Sequence, residues 1–395
     1  MGELAEKFFD AEQIERARTY HRALYLAFAL NAAVTLALLT WLSFGWLGDT
    51  LYELTDGWSW WARCLAFASL TIAIVSLART PTAFAFGHVR ERRWGFSTQS
   101  VGAWLSDRLK GLAIGLVLTM PLLLGLVWLA RTFPELWPVP ATAGAALTVL
   151  LVVFVAPVVI EPRFNRFEPL ADEELAADLR ALAEDAGAPV RHVLVADASR
   201  RTRKVNAYVS GFGRTRRVVL FDTLLERSSP RETKLVVAHE LGHRRARHVL
   251  KLTAIGMAGA AAFVVVLWGL LQWDALLGAI GATGPGDPRV IPFVLLLAVA
   301  VEYVGLPLGS TLSRRFERQA DRFSLELTGD PDAYEATHRD LALANLSDLD
   351  PPRPAYVALF SHPTAPERIA LGRRWAASTR SLPGPEGDAH SPVAY

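Results

Sequence analysis

Apolar and polar positions alternate along this chain in long blocks rather than at helical or strand period. Four blocks contain no charged residue at all: 23–42, 111–130, 141–160 and 252–273. Two more carry one charge each, Arg79 within 64–87 and Glu302 within 290–313. A spanning helix takes about 20 mostly apolar residues, so the pattern predicts six spans. The first follows about twenty polar residues, and its apolar run is too long for the h-region of a cleaved signal peptide.

The polar stretches have their own periodicities. Residues 172–185 read as a helix that ends at Ala186-Gly187-Ala188-Pro189. Residues 192–195, 205–209 and 217–221 are short and rich in β-branched side chains, and read as strands. Gly211-Phe212-Gly213 suits a hairpin turn between the last two. A further helix is expected from about Arg231, after Ser228-Ser229-Pro230, since proline fits a helix start. No breaker follows span 6 until Gly329. From Ser378 the chain is rich in Pro, Gly and Ser and reads as a disordered tail. The expected division is a four-span membrane part at 1–160, a polar part at 161–377 that includes two spans, and a tail at 378–395.

Charge gives the orientation. The loop after span 1 carries Asp49, Glu53 and Asp56 among four tryptophans, and the loop after span 2 carries Arg90, Arg92, Arg93, Arg108 and Lys110. Cytoplasmic loops hold the Lys/Arg excess. Both termini and the polar part are therefore expected in the cytoplasm. Composition agrees with a membrane protein: 52% of residues are hydrophobic and only 20% charged. Lys plus Arg total 41 against 39 Asp plus Glu, a net +2 that gives no support to nucleic-acid binding. The single cysteine, Cys64, excludes a disulfide framework or a cysteine zinc site within one chain.

The chemistry concentrates at His239-Glu240-Leu241-Gly242-His243. Residues at i and i+4 share a helix face, so two imidazoles reach one Zn²⁺, and the adjacent Glu240 can act as general base. Leu235, Val236, Val237 and Ala238 precede the motif, so its helix is partly buried. Glu302, Glu317 and Glu326 are candidates for a third ligand. Glu302 lies midway along span 6. Glu317 has Asp321 one turn on, where a carboxylate can orient a ligand histidine, and this favours Glu317 with Asp321 in support. His362 and Arg368, spaced across Pro363 and Pro366, suit a rigid loop that could stabilise an oxyanion; capping or a salt bridge is the simpler role for Arg368. His248 stands about 140° beyond His243 on an uninterrupted helix, so it is a cleft-lining candidate rather than a ligand. Glu302, a carboxylate at membrane depth, reads as facing any chamber that the spans enclose, with Arg79 as an alternative partner. His88, His192, His338 and His390 lack a partner pattern and are expected on the surface or in loops.

These elements together resemble the type 1 CAAX prenyl proteases, integral-membrane zinc metalloproteases, and their bacterial homologues. The resemblance also rests on Gly95-Phe96-Ser97-Thr98-Gln99-Ser100, on Ala156-Pro157 with Glu161-Pro162-Arg163-Phe164-Asn165-Arg166-Phe167, and on Asn206-Ala207-Tyr208-Val209-Ser210-Gly211. It covers roughly residues 10 to 375. It implies a mainly α, polytopic protein with about six transmembrane helices around a water-filled chamber. A cytoplasmic zincin-like (gluzincin) α+β protease domain with a small β-sheet would close that chamber. His239, His243 and Glu317 would hold one Zn²⁺, Glu240 would be the general base, and Asp321 would support the metal. His362 and Arg368 would contact the reacting carbonyl or the substrate. Asn206, Ala207 and Tyr208 would lie on a strand that pairs with an extended peptide. Eukaryotic members have seven spans; six are expected here, without the family's first.

The implied activity is zinc-dependent peptide hydrolysis near the C-terminus of prenylated or other membrane-associated proteins. The Ala- and Arg-rich composition points to a bacterial plasma membrane. General turnover of membrane proteins competes as a substrate class. A non-catalytic scaffold leaves the filled catalytic positions without a purpose. A transporter using Glu302 and Arg79 leaves the large polar part without one.

Overall fold

The structure is a computed structural model that describes residues 2–211 and 216–380. Among the described residues, six helices are long and apolar enough to cross a membrane: Ala11–Phe44, Trp60–Arg93, Val101–Thr132, Pro138–Phe164, His248–Leu271 and Pro288–Thr328. Five of them contain a predicted block whole, and His248–Leu271 covers the block 252–273 except its last two residues. The first starts earlier than its apolar run because Asp10 caps it, with Gln13 closing a capping box.

Large apolar side chains are both inside and outside this bundle. Phe67, Val127, Trp137, Leu267, Leu271 and Ile291 are buried in its core. Val117, Val139, Leu147, Val304 and Leu308 are all more than 60% exposed. In water such a surface would be costly; lipid removes that cost.

The last span is the structural axis. Its α-helix runs unbroken over Ile291–Thr328, 38 residues, until Gly329 adopts a left-handed φ of 62°. At 1.5 Å per residue it is about 57 Å long, roughly twice the hydrocarbon thickness. Its C-terminal half therefore leaves the bilayer and enters the polar part, and carries Glu317 and Asp321 with it.

The polar part is built on a four-stranded sheet of order β1-β2-β4-β3. The strands are β1 (Phe167–Pro169), β2 (His192–Ala196), β3 (Ala207–Ser210) and β4 (Arg217–Phe221). β2 and β4 are parallel; the two outer pairings are antiparallel. Strand β1 escaped the sequence reading because three residues carry no alternation. Part of the predicted hairpin turn, from Phe212, lies outside the described residues. Leu179, Val218, Leu220, Leu224, Val237 and Leu241 form the core between this sheet and its helices.

The two ends of the described chain pack together. Ala5, Phe8 and Phe9 pack against Ile369 and Ala370 of the final helix, Ala365–Arg380. Ser378 to Arg380 are thus helical, and the rest of the predicted tail lies outside the described residues.

Candidate metal centre

The helix Pro230–Arg245 starts where the sequence puts it. Ser229 caps it, and Glu232 completes a capping box. Its buried face includes Leu235, Val237, Ala238, His239, Leu241 and Gly242. Gly242 sets how near this helix comes to the last span. A Cβ there would lie 3.0 Å from Ala320 Cα and 3.2 Å from its carbonyl oxygen. Only glycine permits that approach, and it brings the two histidines against Glu317.

His239 Nε2 lies 3.3 Å from Glu317 Oε2, and His243 Nε2 lies 3.3 Å from Glu317 Oε1. The two Nε2 atoms are 3.1 Å apart. One donor atom from each of His239, His243 and Glu317 lies within 4.8 Å of the others. Two imidazoles and one carboxylate on a buried wall are the donor set of a three-ligand catalytic zinc site. The residues present fit such an ion.

The neighbours of these groups set their tautomers. His239 Nδ1 is 2.9 Å from Asp321 Oδ1, close in distance though off the ideal hydrogen-bond direction. Asp321 is fully buried, and its carboxylate takes the Nδ1–H, which leaves the Nε2 lone pair for the centre. His248 Nε2 lies 2.9 Å from Gln319 Oε1, which can only accept, and His248 Nδ1 is 2.9 Å from His243 Nδ1. The proton order that satisfies both contacts has His248 Nε2–H donating to Gln319 and His243 Nδ1–H donating to His248 Nδ1. His243 Nε2 is then free to ligate. His248 also stacks on Phe316, with centroids 4.2 Å apart.

His248 is thus no cleft-lining group. It is buried, because the helix stops at Arg245 and restarts at His248 after Arg247 in a left-handed conformation, φ 56°. The 140° rotation held only for a continuous helix. His338 also departs from expectation. It is buried, 3.8 Å from Asp321 Oδ1, and packed edge-on against Tyr334. His88 is buried between Phe84 and Trp104, whereas His192 is exposed and His390 lies outside the described residues.

Charge inside this cluster is balanced locally. Arg368 Nη2 is 2.6 Å from Glu317 Oε2, and its Nε is 3.2 Å from Asp321 Oδ2. Burial opposes a charge on His239, but hydrogen bonds to Asp321 and Glu317 outweigh it and raise its pKa to about 9. Burial, then the nearby Arg368, push His338 down to about 3 and keep it neutral. Burial lifts Glu240 above the ordinary carboxylate range, with His239 and His243 opposing.

His362 Nε2 is 3.4 Å from Glu317 Oε2, and its side chain is 61% exposed. It borders a cavity of about 330 Å³ together with Asn206, Ala207, Glu240, His338 and Arg368. Strand β3 forms one edge of the sheet beside it. Phe221 N–H donates to the Asn206 carbonyl, and with the register Ala207↔Leu220 this turns Tyr208 toward β4. The edge N–H groups are those of Ala207 and Val209. In this structure Asn206 Oδ1 accepts the first, at 2.9 Å, and Glu240 accepts the second. The Tyr208 hydroxyl instead donates to Glu161 at 3.1 Å, at the end of span 4. Glu302 and Arg79 are exposed along their helices, and no ion pair joins them among the described residues.

Comparison with known proteins places this geometry in a family. A model described as "Peptidase family M48" matches residues 169–376, more than half of the 395. A second, described as "CAAX prenyl protease N-terminal, five membrane helices", matches residues 2–166; in this structure four spanning helices fall there. A Bacillus subtilis (strain 168) protein named "Uncharacterized metalloprotease YhfN" is 30% identical over 78% of this chain and 72% of its own length. The CAAX prenyl protease 1 of Saccharomyces cerevisiae is 29% identical over 78% of this chain and 71% of its own. The crystal structure of S. mikatae Ste24p superposes with a TM-score of 0.82 at 26% identity, covering 93% of this chain and 90% of that one. Sequence and fold thus agree along nearly the whole chain: it belongs to peptidase family M48 and is a multi-pass membrane metalloendopeptidase.

Proposed function

We propose that His239, His243 and Glu317 hold one zinc ion, and that the enzyme cleaves peptide bonds near the C-terminus of prenylated or other membrane-associated proteins. The observation that carries this reading is the convergence of two imidazole nitrogens and one carboxylate, with the Nδ1 of each histidine against a buried group, Asp321 or His248, and Glu317 held by Arg368. Zinc bound there would polarise the scissile carbonyl and lower the pKa of a water molecule.

The chain's own residues do the rest. Glu240 receives the proton of the attacking water and delivers it to the leaving amine; its burial, which raises its pKa, suits that exchange. His362 offers a donor to the oxyanion from the open side of the cleft. Arg368 acts through Glu317 and Asp321: it holds both carboxylates in place and offsets their charge. Asp321 and His248 are positioning residues for His239 and His243. A substrate strand pairs with the Ala207 and Val209 edge once Asn206 Oδ1 and Glu240 release those N–H groups. Tyr208 braces the strand against span 4 rather than touching the peptide.

We place the catalytic face and both termini in the cytoplasm of a bacterial cell. The Arg-rich loops support the sidedness, and the near-zero net charge supports a role without nucleic acid. Residues 161–377 would be the catalytic unit, with 1–160 as its membrane part. A peptide-cleavage comparison tests the substrate. A farnesylated peptide and its unmodified twin are incubated with the purified protein, with Glu240→Gln as the blank. A strong preference for the farnesylated peptide supports C-terminal processing; equal cleavage points to general membrane-protein turnover.

A further inference from the structure

Away from the metal centre, a second cavity of about 430 Å³ opens among spans 1, 2, 3 and 6. Leu39, Ile72, Val75, Leu112, Leu295 and Val299 supply its apolar walls. Arg79 and Arg108 also border it, and neither makes an ion pair among the described residues. The one carboxylate on its wall, Asp107, is already engaged by Arg201 at 2.9 Å and Lys110 at 3.3 Å. Glu302, one turn beyond Val299 on the same helix face, is within ion-pair reach of neither arginine. Thr71 is fully buried at this cavity, and its hydroxyl has no partner.

The polarity is ordered along the cavity. Spans 2 and 3 are antiparallel, and Arg79 and Arg108 stand toward their ends nearest the protease part, where Asp107 meets Arg201. Thr71, Ile72 and Leu295 stand toward the opposite end. Both guanidiniums are exposed along their helices, and at membrane depth an unpaired one calls for an anion. A basic pocket between transmembrane helices that continues into an apolar channel is suited to a lipid head group and its chain.

We infer that this cavity binds an anionic amphiphile, with a phosphate or carboxylate head on Arg79 and Arg108 and a hydrocarbon chain toward Thr71 and Leu295. It is separate from the metal centre. Val299 precedes Glu317 by 18 residues of one helix, about 27 Å, a distance that takes about eight extended residues to bridge.

The test uses full-length, delipidated protein titrated with phosphatidylglycerol, with phosphatidylcholine of the same chains, and with inorganic phosphate, read by native mass spectrometry. Phosphatidylglycerol should be retained at one per chain, with phosphatidylcholine weaker. Arg79→Gln or Arg108→Gln should weaken phosphatidylglycerol by about fivefold or more, leave phosphatidylcholine unchanged and leave metal content unchanged. Arg79→Lys should restore most of the affinity. Should the glutamine variants fail to fold, Leu295→Trp keeps both guanidiniums but fills the channel, and should lose the lipid equally. Equal retention of the two lipids, or unaltered phosphatidylglycerol binding in these variants, overturns the inference. So does displacement of the lipid by millimolar inorganic phosphate, which would mark a simple anion site.

Discussion

Asp321→Asn isolates what holds the metal centre in order. The change keeps the side chain's size and removes its charge. Two effects oppose each other. The carboxylate orients His239 and raises its basicity, and losing such a partner typically costs 10- to 100-fold in metal affinity, about 1.4 to 2.7 kcal/mol. The same carboxylate, together with Glu317, holds the His239 pKa near 9 against the opposing effect of burial, so a proton competes with the metal at neutral pH. At pH 7 that competition is two units, about 100-fold or 2.7 kcal/mol. In Asp321→Asn the His239 pKa falls and the competition weakens. The sign follows: wild-type zinc affinity should rise about tenfold per pH unit from neutrality to about 9 and then level off. The variant should level off at lower pH. The two curves should differ most at pH 9, by 10- to 100-fold, and converge toward pH 6. The assay is competition with a zinc chelator in detergent across pH 6 to 10. A constant ratio between the two proteins over that range would refute the coupling of His239 to Asp321.

Glu240→Gln should keep its zinc and lose peptide hydrolysis by at least about 100-fold; near wild-type turnover would remove Glu240 as the base. Gln319→Leu should weaken zinc about tenfold, because nothing then selects the His248 tautomer that points the His243 Nε2 lone pair inward, whereas Gln319→Glu, an acceptor at the same place, should retain it. Equal loss in both variants would show that Gln319 acts by packing alone. Gly242→Ala should lower stability by about 1 to 3 kcal/mol and also weaken zinc, since its methyl group pushes the motif helix away from Ala320; a thermal shift with unchanged zinc affinity would separate packing from the site.

Much of this arrangement could be read from the chain. The six apolar blocks are each long enough to span a bilayer, and the i,i+4 histidines with Glu317 and Asp321 one turn apart on a later helix are side chains that the fold brings together. What escaped depends on chain reversal and tertiary approach. His248 was misjudged because nothing local marks Arg247 as a left-handed break between two helices. Gln319 and His338 carry no motif; they matter only because folding sets them beside His248 and Asp321. Tyr208 stands in a strand that the sequence marks, yet the side that faces a partner depends on register with β4. Arg368 was visible as a charge near two prolines, but its pairing with Glu317 and Asp321 needs the final helix to return to span 6.

The most direct test of the central claim is the zinc content of purified wild-type protein and Glu317→Ala, measured with peptide hydrolysis in the same detergent preparation. The account predicts about one zinc per chain and cleavage in the wild type, with both largely lost in the variant. Full zinc retention in a folded Glu317→Ala protein would contradict it, and would move the third ligand away from the last span.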